Sequence, residues 1–188
     1  MDNTAPPDFP MLTTDRLCLR AVTMEDVPAY RAVLAVPAVT RFSNMPDAAD
    51  EALIEGYVRR IAGGFAAGTG CAWIIEPRRA PRPLMGMIRF NWFNPEWKNG
   101  GIGYELHPDH WGQGLMSEAV HAVVACGHAQ FGLHRIEAWT LPGNHASDRV
   151  LLKAGFGLDG VLRQKIWYRD VFHDMRLFSR IVGDPLPT

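Results

Sequence analysis

The stretch Tyr104-Glu105-Leu106-His107-Pro108-Asp109-His110-Trp111-Gly112-Gln113-Gly114-Leu115-Met116, followed at once by an amphipathic segment, constrains this chain more than any other. It reads as a strand, a proline-marked exit, and a glycine-spaced loop that opens into a helix. The first turn of a helix carries unpaired N–H groups and the positive end of a dipole. Glycines at 112 and 114 remove side chains that would block a close approach. The construction suits an anion, a diphosphate above all. One exposed charge at a helix end contributes only about 0.3–1 kcal/mol, so several N–H bonds must converge before a ligand is held. The plainer alternative is a tight turn with no guest.

Val120, Val123, Val124 and Phe131 fall on one face of the following segment, and Gly132 stands where a left-handed C-cap is expected, which predicts a helix. A dinucleotide fold is the competing functional reading. Its fingerprint needs a third glycine, but Gly112-x-Gly114-x-x-Ser117 has serine there, although Glu137 lies at nearly the distance of a ribose-binding carboxylate. Such a fingerprint also opens a series of parallel βα units, and too few residues remain here to build them.

A chain of 188 residues is most naturally one domain with a proper core. Residues 1–10 are polar and proline-rich, with no basic region leading into an apolar run, and so do not read as a secretory signal. The most apolar helical stretch, Ala119 to Cys126, is short and interrupted by His121, which excludes a membrane span. A soluble, cytoplasmic protein is expected. Cys18, Cys71 and Cys126 are scattered without a C-x-x-C, as buried reduced thiols are. Of seven histidines only His107-x-x-His110 has suggestive spacing, and no third ligand stands nearby, so no metal is expected. The net charge of −1 argues against general nucleic-acid binding. Residues 1–56 hold nine acids and four bases, making that part −5 and the remainder +4. The asymmetry suits an anionic cofactor with a cationic acceptor, or simply a solvated surface.

Leu12 to Arg20 alternates as a half-buried strand does after Asp15, and Thr23 with Asp26 predicts a capping box opening a helix. A second helix is expected from about Ala48 to Ala67, with loop 37–46, carrying Arg41, Phe42 and Asn44, before it. Cys71–Ile75 and Leu84–Phe90 read as strands. The link 91–99, with Trp92, Phe93 and Trp97, leads to the strand Gly101–Leu106. Arg135–Thr140 is a further strand, and Asn144–Ala154 a short helix closed by Gly155 with Phe156 as its hydrophobic contact. Two strands around Tyr168-Arg169-Asp170 end the chain.

Leu12-Thr13-Thr14-Asp15-Arg16-Leu17-x-Leu19-Arg20, Gly103-Tyr104-Glu105-Leu106, His110 through Ala119, Asn144-x-x-Ser147, Lys153-x-Gly155-Phe156 and Asp174 follow one another in a specific order. Together they resemble the GNAT superfamily of acetyl-CoA-dependent N-acetyltransferases. The similarity runs over nearly all of residues 11–181, in the branch that resembles RimJ/RimL-type ribosomal-protein N-terminal acetyltransferases. The fold implied is α/β in the mixed α+β sense, a GNAT-like single domain over 11–182. Its twisted, mixed, mostly antiparallel sheet has about six or seven strands, flanked by about four helices. A flexible segment 1–10 and a tail 183–188 would frame it.

The resemblance implies acetyl-CoA as co-substrate, no metal, and direct attack by an amine. Backbone at Leu106 and His107 takes the pantetheine and thioester carbonyl. Trp111, Gly112, Gln113, Gly114, Leu115 and Met116 take the pyrophosphate. Asn144 and Ser147 complete the cofactor contacts, although Asn144 also reads as a plain N-cap. Superfamily patterns usually start the loop with Arg or Gln and end it with Gly or Ala, so Trp111 and Met116 depart from the pattern. Main-chain N–H contacts make the departure at 111 inexpensive.

Glu105 is the candidate general base, directly or through water, unless strand alternation turns it into a core-edge hydrogen bond. A free N–H on the splayed strand is the implied oxyanion donor. Ser147 stands where RimL-like enzymes carry a serine proposed to protonate the thiolate. A hydroxyl is a poor acid, so hydrogen bonding to sulfur is equally open. Glu118 reads as a helix N-terminal carboxylate. The amine acceptor is a protein N-terminus or a small molecule such as an amino acid or antibiotic, with loop 37–46 and link 91–99 deciding between them. A homodimer, as in similar enzymes, is a further implied partner. A non-catalytic CoA-binding module is the alternative from another class.

Overall fold

Strand alternation places apolar side chains on both faces of one eight-stranded sheet, and helices cover each face. A computed structural model of the chain describes residues 9–43 and 50–185. The strands are β1 (Leu12–Thr13), β2 (Leu17–Ala21), β3 (Cys71–Pro77), β4 (Gly86–Asn94), β5 (Asn99–Leu106), β6 (Arg135–Thr140), β7 (Gly157–Tyr168) and β8 (Val171–Ile181), and the helices are α1 (Val27–Leu34), α2 (Pro37–Thr40), α3 (Glu51–Gly64), α4 (Leu115–Ala129) and α5 (His145–Lys153). The order across the sheet is β1-β2-β3-β4-β5-β6-β8-β7. The β5–β6 pair is parallel and every other pair antiparallel.

Central strands bury both faces, so β3 is apolar almost throughout: Trp73 and Ile75 join one core cluster, Ala72 and Ile74 the other. The first cluster holds Val120, Val123 and Val124 of α4 and Leu151 of α5. The second holds Tyr30 and Leu34 of α1 with Ile54 and Val58 of α3.

The expected elements are present, with three differences. Leu12–Arg20 is not one strand. Thr14 turns the chain, its hydroxyl accepting the Leu17 N–H at 2.9 Å, so that β1 folds back on β2 and raises the strand count among the described residues to eight. Within loop 37–46, Pro37 occupies the first turn of the short helix α2, which raises the helix count among the described residues to five. Asn44 to Pro46 lie outside the described residues. Link 91–99 is mostly strand: β4 runs on to Asn94 and β5 starts at Asn99, with Lys98 at φ 48 in the turn between them.

Phe9, inside the segment expected to be flexible, is packed. Its ring meets Phe65 at 5.1 Å and Trp73 at 5.4 Å, and Trp73 Nε1 donates to the Pro10 carbonyl at 2.7 Å. Residues 1–8 and 186–188 of the expected terminal segments lie outside the described residues.

The feature that creates a site is the failure of β5 and β6 to stay together. They pair only at Asn99–Arg135, Gly100–Ile136 and Gly101–Glu137. Beyond that, β5 follows β4 to Leu106 while β6 follows β8 to Thr140, and a gap opens between them. Link 91–99 stands at the closed end of this gap. Trp92 packs there on Gly101, where an added Cβ would lie 2.6 Å from the indole Cε2, and Phe93 stacks in a cluster with Phe90 and Phe131.

Candidate active site

Hydrogen-bond phase decides what lines the gap. His107 N–H donates at 2.8 Å to the carbonyl of Met85, the residue just before β4, and bonded residues alternate along an antiparallel ladder. Residues 103, 105 and 107 therefore turn their backbones to β4, while Tyr104 and Leu106 turn theirs toward the gap, where β6 has diverged. Of the expected pair Leu106 and His107, it is Leu106 that presents its backbone there. The His107 ring caps the 3-10 turn Pro108–His110 instead, its Nδ1 accepting the Asp109 N–H at 3.3 Å.

Trp111 folds back over the strand end, its indole N–H donating to the Leu106 carbonyl at 2.7 Å. Gly112 and Gly114 follow at φ +73 and +76, in the left-handed region that a Cβ disfavours. Gly114 is the N-cap of α4, and the Glu118 N–H to Gly114 carbonyl bond at 3.1 Å is among the first of the helix. The N–H groups ahead of it have no partner within the helix and point out of its N-terminus. Leu115 and Met116 bury their side chains in the core, so only their backbones are available to a ligand.

The loop's carbonyl side is tied off. Arg16 Nη1 donates to the Gln113 carbonyl at 2.9 Å, and Gln113 Nε2 to the Asp109 carbonyl at 3.0 Å. Arg16 also grips Glu118 through Nε at 2.7 Å, Nη2 at 2.6 Å and its own N–H at 3.0 Å, while the Thr14 hydroxyl donates to the same carboxylate. Burial would raise the Glu118 pKa, but the Thr14 and Arg16 hydrogen bonds outweigh it and hold the carboxyl below its ordinary value. From the N-terminus of α4 an open cleft of about 1010 Å³ runs along the outer face of the helix, past Ser117 and His121 to Lys153 and Arg180. Sequence reasoning missed this cationic extension and the role of Arg16, because both join segments distant in the chain.

Glu105 points to the opposite face, among α1 and α3. Arg89 chelates it, Nη1 to Oε2 at 2.5 Å and Nη2 to Oε1 at 2.9 Å, and the Tyr30 hydroxyl donates to Oε2 at 3.2 Å. Gly103 makes room for the guanidinium: a Cβ there would lie 2.8 Å from Asn91 Nδ2 and 3.3 Å from Arg89 Nη2. Burial, reinforced by the charge of Glu105, pushes the Tyr30 hydroxyl well above its ordinary pKa. Burial works against the Arg89 charge, but Glu105 overrides it and the guanidinium is held more firmly protonated than usual.

Tyr104, one residue earlier, faces α4 and α5, and its hydroxyl lies 2.6 Å from Ser147 Oγ. Asn144 caps α5, its side-chain oxygen accepting the Ser147 N–H at 3.2 Å, which leaves its NH₂ as the part able to reach a ligand. Asp148 fixes the helix to the sheet, accepting from Thr140 at 2.7 Å and from Arg176 at 2.5 Å. Glu105 and Ser147 thus stand on opposite faces of β5, and the gap connects them. Across the gap's far side, Phe42 comes within 3.9 Å of where a Cβ on Gly143 would be, and Arg41 stands over its ring at 5.1 Å. Among the described residues no cluster of three or more His, Cys, Asp or Glu is placed to hold a metal.

Comparison with known proteins agrees with this geometry. Residues 16–157 match the family model described as an acetyltransferase (GNAT) domain. The chain is 36% identical over 171 residues to the uncharacterized N-acetyltransferase YoaA of Bacillus subtilis (strain 168), covering 91% of this chain and 96% of that protein. It is 38% identical over 100 residues to the ribosomal-protein-serine acetyltransferase of Escherichia coli (strain K12), covering 53% and 55%. The solved structure of RimL, a ribosomal α-N-protein acetyltransferase, in complex with coenzyme A has the same fold, with a TM-score of 0.84 at 22% identity over 94% of this chain and 100% of that one. A split sheet, a glycine loop at a helix N-terminus and a family match over most of the sequence lead to one conclusion: the chain belongs to the GNAT acetyltransferase family.

Proposed function

We propose that the chain transfers the acetyl group of acetyl-CoA to a primary amine, with a protein N-terminus as the acceptor. The observation that carries this reading is the gap between β5 and β6, which ends at unpaired N–H groups on the N-terminus of α4. The protein's own groups fit the co-substrate. The backbone of Gly112 to Ser117 would hold the pyrophosphate, with Arg16 nearby. Lys153 and Arg180 line the cleft and offer positive charge to the remaining phosphate, and Tyr104, Leu106 and Asn144, at the gap between β5 and β6, would contact the pantetheine arm. Trp111 and Gln113 act by shaping the loop. The thioester supplies an activated acyl carbon on a sulfur leaving group.

Glu105 serves the acceptor. Its Oε2 is taken by Arg89 and Tyr30, while Oε1 accepts only from Arg89 among these partners and has a lone pair left for an ammonium N–H. An α-ammonium has a pKa of about 7.7–8.0, so orienting it and accepting its proton through water suffices near neutral pH; a lysine near 10.4 would ask for more. An N–H of Tyr104 or Leu106 is the oxyanion donor in this reading. Ser147, on the other face, donates to the departing sulfur. Entry of amine and thioester from opposite faces suits direct attack. The N-terminal acceptor is supported by the relatives that act on ribosomal proteins, and a cytoplasmic location by the same relatives and by the free, buried cysteines.

Calorimetric titration with acetyl-CoA, repeated on Gly114→Glu, tests the reading. Micromolar binding lost in the variant is expected, because a side chain at φ +76 strains the loop and adds negative charge to an anion site. Screening serine-initiated peptides against small amines for CoA release then decides the acceptor. A folded protein that takes up no acetyl-CoA contradicts the proposal.

A further inference from the structure

Tyr104 approaches the gap from β5 and Ser147 from α5, and they meet across it with hydroxyl oxygens 2.6 Å apart. The last β5–β6 ladder pair is Gly101–Glu137, so this contact joins the two lips where the backbones have already separated. Ser147 is held from behind: Asn144 takes its N–H, and the neighbouring Asp148 is locked to Thr140 and Arg176. The Tyr104 ring packs against the core, and burial raises its pKa, so it keeps its hydrogen across the physiological range; Ser147 Oγ at 2.6 Å is a nearer acceptor for that hydrogen than the Ser147 carbonyl at 3.4 Å. A serine hydroxyl has one hydrogen and two lone pairs and rotates to suit its partners. When Tyr104 donates to one lone pair, the serine hydrogen must turn elsewhere, and the gap is its open side. Donation into a hydroxyl also strengthens that hydroxyl as a donor.

We propose that Tyr104 is a positioning residue: by donating its phenolic hydrogen to Ser147 Oγ, it aims the Ser147 hydroxyl into the gap as a donor to the departing sulfur. This rests on the reading of Ser147 given above. In the transfer, the amine lone pair forms the C–N bond and the C–S pair stays on sulfur as thiolate. The surplus amine proton passes by way of Glu105 to water, and the thiolate takes its proton from water after release. Tyr104 and Ser147 keep both of their hydrogens, so the pair lowers the barrier without changing the proton inventory.

The test uses the full chain and CoA release from acetyl-CoA, with water as the only acceptor and again with a serine-initiated peptide. A thiol reagent gives the readout, since the chain's own cysteines are buried. Tyr104→Phe keeps the ring and is expected to lower kcat about tenfold, with KM for acetyl-CoA and Tm nearly unchanged. Ser147→Ala is expected to lose at least as much, and Tyr104→Phe should cost nothing further on that background. The proposal fails if the two losses multiply, or if the effect of Tyr104→Phe lies in KM or Tm, as a merely structural tie would require. An impaired Ser147→Ala beside a silent Tyr104→Phe overturns the role of Tyr104 alone, whereas a silent Ser147→Ala overturns the underlying reading of Ser147.

Discussion

Arg89 grips Glu105 through both arms of its guanidinium, at 2.5 and 2.9 Å, with only 13% and 10% of the two side chains exposed. A pair so withdrawn from water is stable only while both charges are present. Removing one partner leaves the other buried and uncompensated, at a cost of about 3–5 kcal/mol. Glu105→Ala is therefore expected to lower the unfolding free energy by about that amount in a urea titration. Glu105→Gln keeps an acceptor for Arg89 and should lose less, which makes it the better variant for kinetics. A Glu105→Ala protein as stable as the wild type would contradict the buried pair.

The lock between Arg16, Thr14 and Glu118 predicts a pH dependence whose sign is fixed. Glu118 is held below its ordinary pKa, because the Thr14 and Arg16 hydrogen bonds overcome the opposing effect of burial. Its contribution is complete above the unfolded value of about 4.3 and is lost as pH falls through the lower folded value. Glu118→Gln should have a lower Tm than the wild type at pH 7, and the difference should shrink below about pH 4. A difference that stays constant down to pH 2 would mean that Glu118 acts through shape and not charge.

Gly86 stands opposite Leu106 in the β4–β5 ladder. A Cβ there would collide with the Glu105 carbonyl oxygen and lie 2.9 Å from Leu106 Cα, and neither is a flexible side-chain end. Gly86→Ala must push the strands apart at the mouth of the gap. A loss of about 3 kcal/mol, at the upper end of overpacking costs, is expected in thermal or urea unfolding. Wild-type stability would show that the ladder gives there.

Local signals carried much of this architecture. The Thr23–Asp26 capping box forms, with the Asp26 carboxylate accepting the Thr23 N–H at 2.8 Å. Gly155 and Phe156 close α5 as a Schellman motif, their N–H groups returning to the carbonyls of Leu152 and Leu151 at 3.0 Å. Such features depend on residues a few positions apart, as does the left-handed pair Arg169 and Asp170 in the final hairpin. What escaped depends on distant partners or on exceptions to pattern. Sheet register sets the Arg89–Glu105 chelate, while the packing of α4 and α5 on the sheet sets the Arg16–Glu118 lock and the Tyr104–Ser147 contact. Strand β4 continues through Asn91 and Asn94, polar residues that alternation reads as a loop. Alternation along Tyr104-Glu105 already implied that their side chains part, but only the helices on each face show what each one meets.

Amide hydrogen exchange, with and without saturating acetyl-CoA, tests the central claim most directly. The N–H groups of Tyr104 and Leu106 face the gap and those of Gly112 to Ser117 lie at the N-terminus of α4, so both sets should slow on binding, while the distal turn of the β7–β8 hairpin, around Arg169 and Asp170, should not respond. Protection of those two segments, with none at the distal hairpin turn, is the result predicted. Binding that leaves 104–106 and 112–117 unprotected would place the co-substrate elsewhere and contradict this account of the gap.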